Sequence, residues 1–123
     1  HDDLAELLRY ANGMELTGEE LKERMLAVLD LEKMFNYCHA GFDRSDDQPP
    51  ERLFREAVKS GPAAGMRLEH DKWDAMLNQY YRLHGWDEKT GIPTAGALRR
   101  RGLEDLIADL DYPARPSGHT FRI

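Results

Sequence analysis

The sequence predicts an all-α protein, an irregular orthogonal bundle of three main helices plus short helices. Apolar residues recur every three to four positions over three long segments, which is the period of an amphipathic helix. The apolar–polar alternation that is typical of a strand never persists beyond a few residues. With 123 residues, the chain has the usual length of one domain. We therefore expect a helical domain over residues 1–112, followed by an extended or mobile tail over residues 113–123.

Two helices are predicted in the first third of the chain, and each has a recognisable end. The first covers residues 2–12 and stops at Gly13. The second covers residues 17–37, where Thr17 and Glu20 have the spacing of a capping box. Both carry an apolar stripe at helical spacing. The stripe of the first helix consists of Leu4, Leu7, Leu8 and Ala11, and that of the second of Leu21, Met25, Val28, Leu29, Leu31 or Glu32, and Phe35.

The middle of the chain is predicted to be irregular before a third long helix begins. Residues 38–50 contain glycine, serine, clustered aspartates and prolines, which are typical of a loop. A helix of about two turns is expected over residues 51–58, since Pro50 favours a helix start. Residues 59–70 lack a period. The third long helix covers residues 71–84, and its apolar face consists of Trp73, Met76, Leu77, Tyr80, Tyr81 and His84.

The joint after the third helix carries large aromatic residues, and we expect it to form a corner of the core rather than a ligand pocket. Gly85 ends the helix, residues 87–91 form a polar turn, and Thr94 caps a short helix that stops at Gly102. A last short helix covers residues 104–110. The ring of Tyr80 should point inward. The residues expected in this corner are Tyr80, Tyr81, Trp86, Ile92 and Pro93.

Composition disfavours several classes of protein. The net charge is −6, from 23 acidic and 17 basic side chains, which argues against nucleic-acid binding. No apolar run reaches the roughly 20 residues that a membrane span needs. The single cysteine, Cys38, cannot form an internal disulfide and fits a reducing compartment, so we expect a cytoplasmic protein.

The histidines and the cysteine do not have the spacing of a metal site or of a catalytic pair. His70 and His84 lie about 21 Å apart along one predicted helix, which is too far to share an ion. Cys38 and His39 are sequence neighbours, and their side chains diverge on any regular element, so they do not suit the roles of nucleophile and base. We expect the histidines to be surface or capping residues.

The segment that begins at Asp43 has the start of a calcium loop but not its end. Gln48 stands where the loop requires glycine, and Phe54 stands where it requires a bidentate glutamate. We therefore expect the aspartates of this segment to cap turns and helix ends, with Arg44 paired to one of them. These aspartates are Asp43, Asp46 and Asp47.

The remaining patterns give no active site either. The basic run Arg99-Arg100-Arg101 is expected on a solvated helix face near a C-terminus, where positive charge is favourable. The sequence contains neither a Gly-x-Ser-x-Gly motif nor a phosphate-binding glycine loop. From composition, spacing and period alone, we predict no catalytic, cofactor-binding or metal-binding residue in the chain.

Two blocks of sequence are nevertheless distinctive in their order and spacing. The first block consists of Met76, Leu77, Tyr80, Tyr81, Gly85, Trp86, Asp87, Gly91, Ile92, Pro93, Thr94, Gly102 and Leu103. The second consists of Phe35, Asn36, Gly41, Phe42, Arg44, Asp46, Asp47 and Pro50. A third segment has Asn12 and Gly13 in the place of a Thr-Gly pair. In the order and spacing of these residues, the segment from residue 4 to about residue 106 resembles the C-terminal end of the tungsten-dependent aldehyde ferredoxin oxidoreductases.

The resemblance implies that the chain is the last helical domain of a longer oxidoreductase, with a structural role. Enzymes of this family oxidise an aldehyde to a carboxylic acid and pass the electrons to ferredoxin, using tungsten bound by a pair of pterins and a [4Fe-4S] cluster. Their cluster cysteines and pterin-binding motifs lie upstream of the matching segment, and Cys38 does not align with a cluster ligand. The chain departs from the family at His39-Ala40, where members often have Arg-Glu. We thus expect no cofactor in this chain and the remainder of the enzyme as its partner.

Two alternatives remain open, a stand-alone helical protein-interaction module and a domain of a related acyl-CoA reductase. A domain that packs against the rest of an enzyme should have one unusually apolar face. The surplus of large apolar residues in short helices supports this expectation. It includes Met14, Met25, Met34, Met66 and Leu68.

Overall fold

The computed structural model describes residues 1–111, and this part of the chain is helical apart from its loops and turns. Its elements are α1 (Asp2–Asn12), α2 (Gly18–Ala40), α3 (Arg52–Arg55), α4 (His70–His84), α5 (Ala95–Arg100) and a 3₁₀ helix (Glu104–Asp111). Extended pairing in the described part is limited to an isolated antiparallel bridge between Trp86 and Pro93. The all-α class is therefore confirmed, while the orthogonal arrangement stays a prediction. The predicted tail over residues 113–123 lies outside the described residues.

The first helix and the start of the second form as predicted. α1 has the predicted bounds and ends at Gly13, whose φ of 75° is left-handed. The hydroxyl of Thr17 accepts a hydrogen bond from the backbone N–H of Glu20 at 3.2 Å, and the Glu20 carboxylate accepts one from the backbone N–H of Thr17 at 2.8 Å. These bonds satisfy N–H groups that a helix start would otherwise leave unpaired.

α1 packs against the first turn of α2, but not through its whole predicted stripe. Ala5 is buried, whereas Leu4 and Leu7 are 42% and 62% exposed. Gly18, the first residue of α2, is buried as well, because Asp2 passes directly over it. The two helices therefore approach most closely where a side chain is absent, and the stripe of α1 is only partly covered.

α2 turns a different face to the core than the apolar period predicts. Its buried residues beyond the first two turns are Asp30, Lys33 and Met34. The prediction of the helix is confirmed, but the prediction of its buried face is wrong. The reason is that Asp30 and Lys33 find charged and aromatic partners from distant segments, which compensates the cost of burying them. The residues of the predicted stripe beyond Leu21 that remain exposed are Met25, Val28, Leu29, Leu31 and Phe35.

The segment between α2 and α4 differs from the prediction in two ways. α2 extends further than predicted, and α3 is shorter than predicted. Residues 38–40 belong to α2, which ends at Gly41 with a φ of 73°. α3 has 4 residues, because Glu56 after it adopts an extended backbone with φ −101° and ψ 128°. The chain then reverses, and the backbone N–H of Val58 donates to the carbonyl of Met66 at 2.8 Å.

α4 and the residues after it build the predicted corner of the core, with one correction. Trp86 and Ile92 are 8% and 6% exposed, and Pro93 is buried. Tyr81 is 0% exposed while Tyr80 is 40% exposed, so the prediction that the ring of Tyr80 points inward is wrong. Tyr81 lies on the side of α4 that meets the loop after α2, where its hydroxyl finds a carboxylate, and this contact decides which ring is buried.

A small apolar core joins α2 to the C-terminal elements. Met34, Ile92 and Leu98 form its buried centre. Thr94 caps α5 as predicted, since its hydroxyl accepts from the backbone N–H of Ala97 at 3.2 Å. No helix within residues 1–111 has the length and apolar character to span a membrane. The half-buried residues around the centre come from α2 and from the end of the chain: Tyr37, Cys38, Leu103, Leu106, Ile107 and Leu110.

Gly18→Ala should weaken the docking of α1 and destabilise the chain. A Cβ at this position would overlap the carboxylate of Asp2 and come within 2.9 Å of its backbone nitrogen. Overpacking of this kind costs about 1–3 kcal/mol.

The matched control is Gly96→Ala in α5, where the nearest atoms would lie 3.8 Å away. It should be neutral or stabilise the chain by up to about 1 kcal/mol, because alanine favours a helix. Urea unfolding measures both variants. If Gly18→Ala unfolds at the same midpoint as the unsubstituted chain, the close approach of α1 to α2 is contradicted.

Candidate functional site

A buried carboxylate lies beneath the aromatic corner and is bound by two residues from later in the chain. Asp30 is 0% exposed. The indole Nε1–H of Trp86 donates to its Oδ1 at 2.6 Å, and the guanidinium of Arg101 donates to its Oδ2. The side chain of Arg101 is itself buried. Each carboxylate oxygen therefore has a donor, and the negative charge is neutralised by a charge-assisted pair.

A second ion pair lies beside the first, between α2 and the loop that follows it. Lys33 Nζ donates to Asp47 Oδ2 at 2.7 Å, and the hydroxyl of Tyr81 donates to the same oxygen at 2.5 Å. Burial, and then the hydrogen bond to Asp47, raises the pKa of Tyr81 well above its usual range, so the hydroxyl stays a donor. Lys33 Nζ also lies 5.7 Å from the centroid of the Trp86 ring, which connects the two pairs.

Arg44 fastens the loop after α2 to α4 and to the polar turn. Its Nη1 donates to Asn78 Oδ1 at 2.7 Å and to the carbonyl of Glu88 at 2.8 Å. Its Nη2 pairs with Asp74 at 3.1 Å, and its guanidinium lies 5.3 Å from the centroid of the Tyr81 ring. The expected pairing of Arg44 with a neighbouring aspartate is therefore wrong, because its side chain reaches across to α4.

Two of the three loop aspartates cap turns, as predicted, and the third does not. Asp43 Oδ1 accepts from both the backbone N–H and the hydroxyl of Ser45 at 2.7 Å, and these bonds, led by the hydroxyl, lower the pKa of Asp43. Asp46 accepts from the backbone N–H of Asp43 at 2.9 Å. Asp47 instead binds Lys33 and Tyr81. We call the two neighbouring ion pairs and their aromatic donors the buried network: Asp30, Lys33, Asp47, Tyr81, Trp86 and Arg101.

The polar turn after Trp86 is closed by Asp87. Its Oδ1 accepts from the backbone N–H groups of Lys89 at 3.0 Å and Thr90 at 2.8 Å. The bond from the Thr90 N–H contributes most to lowering the pKa of Asp87. Gly91 ends the turn with a φ of 70°, and a Cβ there would come within 2.7 Å of the Tyr81 oxygen. The turn therefore brings the backbone against the network at a position that glycine suits.

The residues that sequence patterns singled out as candidate ligands lie apart. His70 stacks on Phe54, with ring centroids 4.0 Å apart, and His84 stacks on a tyrosine one turn earlier, also at 4.0 Å. Cys38 is half-buried in α2, and burial raises its pKa. Its thiol is therefore not an activated nucleophile.

The charged residues of the buried network were not predicted from the sequence. Arg99 and Arg100 are exposed, as expected, but the side chain of Arg101 is 5% exposed, so the prediction of a fully solvated run is wrong. Arg101 lies after the end of α5, where the chain turns toward α2. Asp30 and Lys33 are spaced as an i, i+3 pair, and such pairs are too common on exposed helix faces to mark a buried site.

The described residues do not fit a metal or a cluster. Within residues 1–111, no group of three or more His, Cys, Asp or Glu side chains is placed to hold a metal ion. The carboxylates of Asp30, which is buried, and of Asp47, which is partly exposed, already bind cationic side chains. A [4Fe-4S] cluster needs cysteine thiolates, whereas the sequence has 1 cysteine. The arrangement can stabilise the corner of the fold, but it lacks the donor set for tungsten or for a cluster.

Arg101→Met should destabilise the chain by about 3–5 kcal/mol, because it leaves the buried carboxylate of Asp30 without its cation. The matched control is Arg99→Met, an exposed neighbour, whose effect should stay within about 0.5 kcal/mol. Urea unfolding at neutral pH compares the two variants. Equal midpoints would mean that Asp30 is stabilised without Arg101.

Trp86→Ala should cost about 3–5 kcal/mol, since it removes a buried aromatic side chain from the corner. Trp86→Phe keeps an aromatic ring but removes the donor to Asp30, and its cost should be about 1–3 kcal/mol. The urea midpoint measures both. A loss below about 1 kcal/mol for Trp86→Ala, the range of surface changes, would favour an exposed, partner-binding tryptophan.

Several known enzymes that are similar to this chain are named as tungsten-containing. The sequence model of a family described as "Aldehyde ferredoxin oxidoreductase, domains 2 & 3" matches residues 1–103. The tungsten-containing aldehyde ferredoxin oxidoreductase of Pyrococcus abyssi is 34% identical over 109 residues, which are 86% of this chain and 17% of that enzyme. The enzyme of the same name from Pyrococcus furiosus is 36% identical over 95 residues, 75% of this chain and 15% of that enzyme. The chain therefore spans about a sixth of the length of these relatives.

A solved structure shares the fold. The active site complex BamBC of benzoyl coenzyme A reductase, in complex with 1,5-dienoyl-CoA, superposes with a TM-score of 0.67 at 26% identity. The superposition covers 89% of this chain and 15% of that chain. The family match spans nearly all of the described residues, and both Pyrococcus relatives exceed 30% identity over most of the chain. The chain thus belongs to the aldehyde ferredoxin oxidoreductase family, within the region of its domains 2 and 3.

Proposed function

We propose that the chain is the C-terminal helical domain of a tungstopterin and iron–sulfur enzyme that oxidises aldehydes to carboxylic acids and passes the electrons to ferredoxin. The observation that carries this proposal is the similarity to the two Pyrococcus enzymes, which extends over 75% to 86% of the chain. Because the chain spans about a sixth of their length, the reaction belongs to the longer enzyme.

The part that we assign to residues 1–112 is that of a rigid packing domain. The residues through which the chain resembles the family include Asp47, Tyr81 and Trp86, and their side chains bond to other side chains of the same chain. Their polar groups are therefore used inside the domain. We place tungsten, its pterins and the [4Fe-4S] cluster on other parts of the longer enzyme, together with the sites for aldehyde and ferredoxin. A cytoplasmic location belongs to the same proposal, and the free thiol of Cys38 supports a reducing compartment.

A related acyl-CoA reductase is the second candidate for the longer enzyme. The observation in its favour is the TM-score of 0.67 with the benzoyl coenzyme A reductase complex. The identity to that structure is 26%, compared with 34% and 36% to the Pyrococcus enzymes, so aldehyde oxidation is the better supported reaction. The packing role of this domain is the same in both.

The test uses the purified product of the complete reading frame that contains this sequence. Aldehyde oxidation predicts stoichiometric tungsten by metal analysis and aldehyde-dependent reduction of a viologen dye. An acyl-CoA reductase would instead turn over a coenzyme A thioester and leave free aldehydes unreacted. A product that binds neither tungsten nor iron would contradict both candidates and would favour a stand-alone helical interaction module.

A further inference from the structure

α2 presents to solvent the apolar face that the helix of an isolated domain would bury. A surface helix normally turns its apolar stripe toward the core. In α2 the inward positions carry Asp30 and Lys33 beside the buried Met34, and five further large apolar side chains lie on the opposite face. We call these five apolar residues the outer stripe: Met25 at 44% exposed, Val28 at 54%, Leu29 at 37%, Leu31 at 48% and Phe35 at 61%.

The outer stripe is continuous and has a defined shape. It extends over about 15 Å of the helix axis, given the rise of each residue. A shallow groove at its C-terminal end is lined by Leu31, Glu32, Phe35 and Asn36. His39 packs on the ring of Phe35, with centroids 4.4 Å apart, which supports the ring from one side. A continuous apolar patch with a few polar groups is typical of a surface that another protein body covers.

Glu32 places an acidic group among the apolar residues of the outer stripe. It lies between the apolar residues of the stripe and is exposed. The ion pairs formed within residues 1–111 do not include Glu32. An apolar body that covered the stripe would have to supply a donor for this carboxylate, because burying an unpaired charge is costly.

We propose that the outer stripe is the surface through which the domain docks on the remainder of the longer enzyme. The occupant is an apolar helix or sheet face that carries a cation or a hydrogen-bond donor opposite Glu32. This inference rests on the proposed function. The matching segments make up 17% and 15% of the Pyrococcus enzymes and 15% of the solved reductase chain, so a much larger body of polypeptide is available in each of them.

A second copy of this chain fits the outer stripe less well. In a two-fold interface, the same surface patch of both copies meets across the axis. The two Glu32 carboxylates would then share one apolar interface without a cation from either stripe. The net charge of −6 adds repulsion between the copies. Charge complementarity therefore favours the longer enzyme over self-association.

The experiment compares the accessibility of the outer stripe in two polypeptides. One is the isolated 123-residue chain, and the other is the Pyrococcus abyssi relative with this chain in place of its matching segment. Met25 reports on the stripe through its rate of oxidation by hydrogen peroxide, followed by peptide mass spectrometry. We expect oxidation of Met25 to be about ten-fold slower in the chimaera, because oxidation follows exposure.

Matched substitutions identify the face independently of Met25. Val28→Gln with Phe35→Gln alters the stripe, where these residues are 54% and 61% exposed. The control is Val58→Gln with Tyr10→Gln, which are 45% and 72% exposed in other parts of the chain. Both pairs should leave the urea midpoint of the isolated chain unchanged. In the chimaera, the stripe pair alone should restore fast oxidation of Met25 and allow limited proteolysis to release the domain.

The outcomes separate this inference from the proposed function. A chimaera that binds tungsten and oxidises aldehydes, but in which Met25 reacts as fast as in the isolated chain, overturns the docking face alone. Protection of Met25 in the chimaera supports the docking face, whereas the proposed function fails separately, if the product of the complete reading frame binds neither tungsten nor iron. Protection that appears in the isolated chain and grows with its concentration identifies a second copy and overturns the inference. Release of the domain by the control pair as readily as by the stripe pair overturns it too.

Discussion

The carboxylate of Asp30 is the constraint on which the rest of the described structure depends. Removing such a charge from water costs several kcal/mol unless its partners arrive with good geometry. Those partners, Trp86 and Arg101, stand 56 and 71 residues later in the chain. Trp86 follows α4 and Arg101 follows α5, so the end of α4, the polar turn and α5 must all be in place before Asp30 is satisfied. The apolar core around Met34 and Leu98 stabilises the same contact, but apolar burial does not depend on the orientation of the groups. The ion pair and the indole hydrogen bond are directional, so they determine how the elements meet.

The same constraint explains why α2 exposes its apolar side. Asp30 and Lys33 are three positions apart, so both lie on one face of the helix, and the residues opposite them must face outward. A domain that folded for its own stability would gain more by burying Val28 and Phe35 than by burying the charges of Asp30 and Lys33, because buried ion pairs often contribute little after desolvation. An inner face that carries two charged residues beside Met34 therefore makes physical sense in a helix that is covered on both sides, as the proposed docking on a longer enzyme implies.

Local signals in the sequence were sufficient for most of the secondary structure. The capping box at Thr17, the left-handed stop at Gly85 and the N-cap at Thr94 depend on residues within four positions of each other, and all three are confirmed. The buried network could not be predicted in this way. The apolar period identifies a stripe but not the partner that covers it, and Asp30 and Arg101 are recognisable as a pair only once the fold brings them together. The corner itself was predictable from its aromatic residues, although its hydrogen bonds were not.

The polar groups of the network are bound to one another, which favours a structural role for them. General acid–base catalysis requires a group that exchanges protons near the working pH and reaches the substrate. The Tyr81 hydroxyl has a raised pKa and donates to Asp47, the thiol of Cys38 also has a raised pKa, and Asp30 is enclosed by its two donors. What these side chains do is hold α2 in one orientation relative to α4 and α5. α2 is rigid, so fixing its inner face also fixes the direction of the outer stripe on the opposite face. The ion pairs of Asp30 and Lys33 thereby determine the position that this domain would take on the longer enzyme.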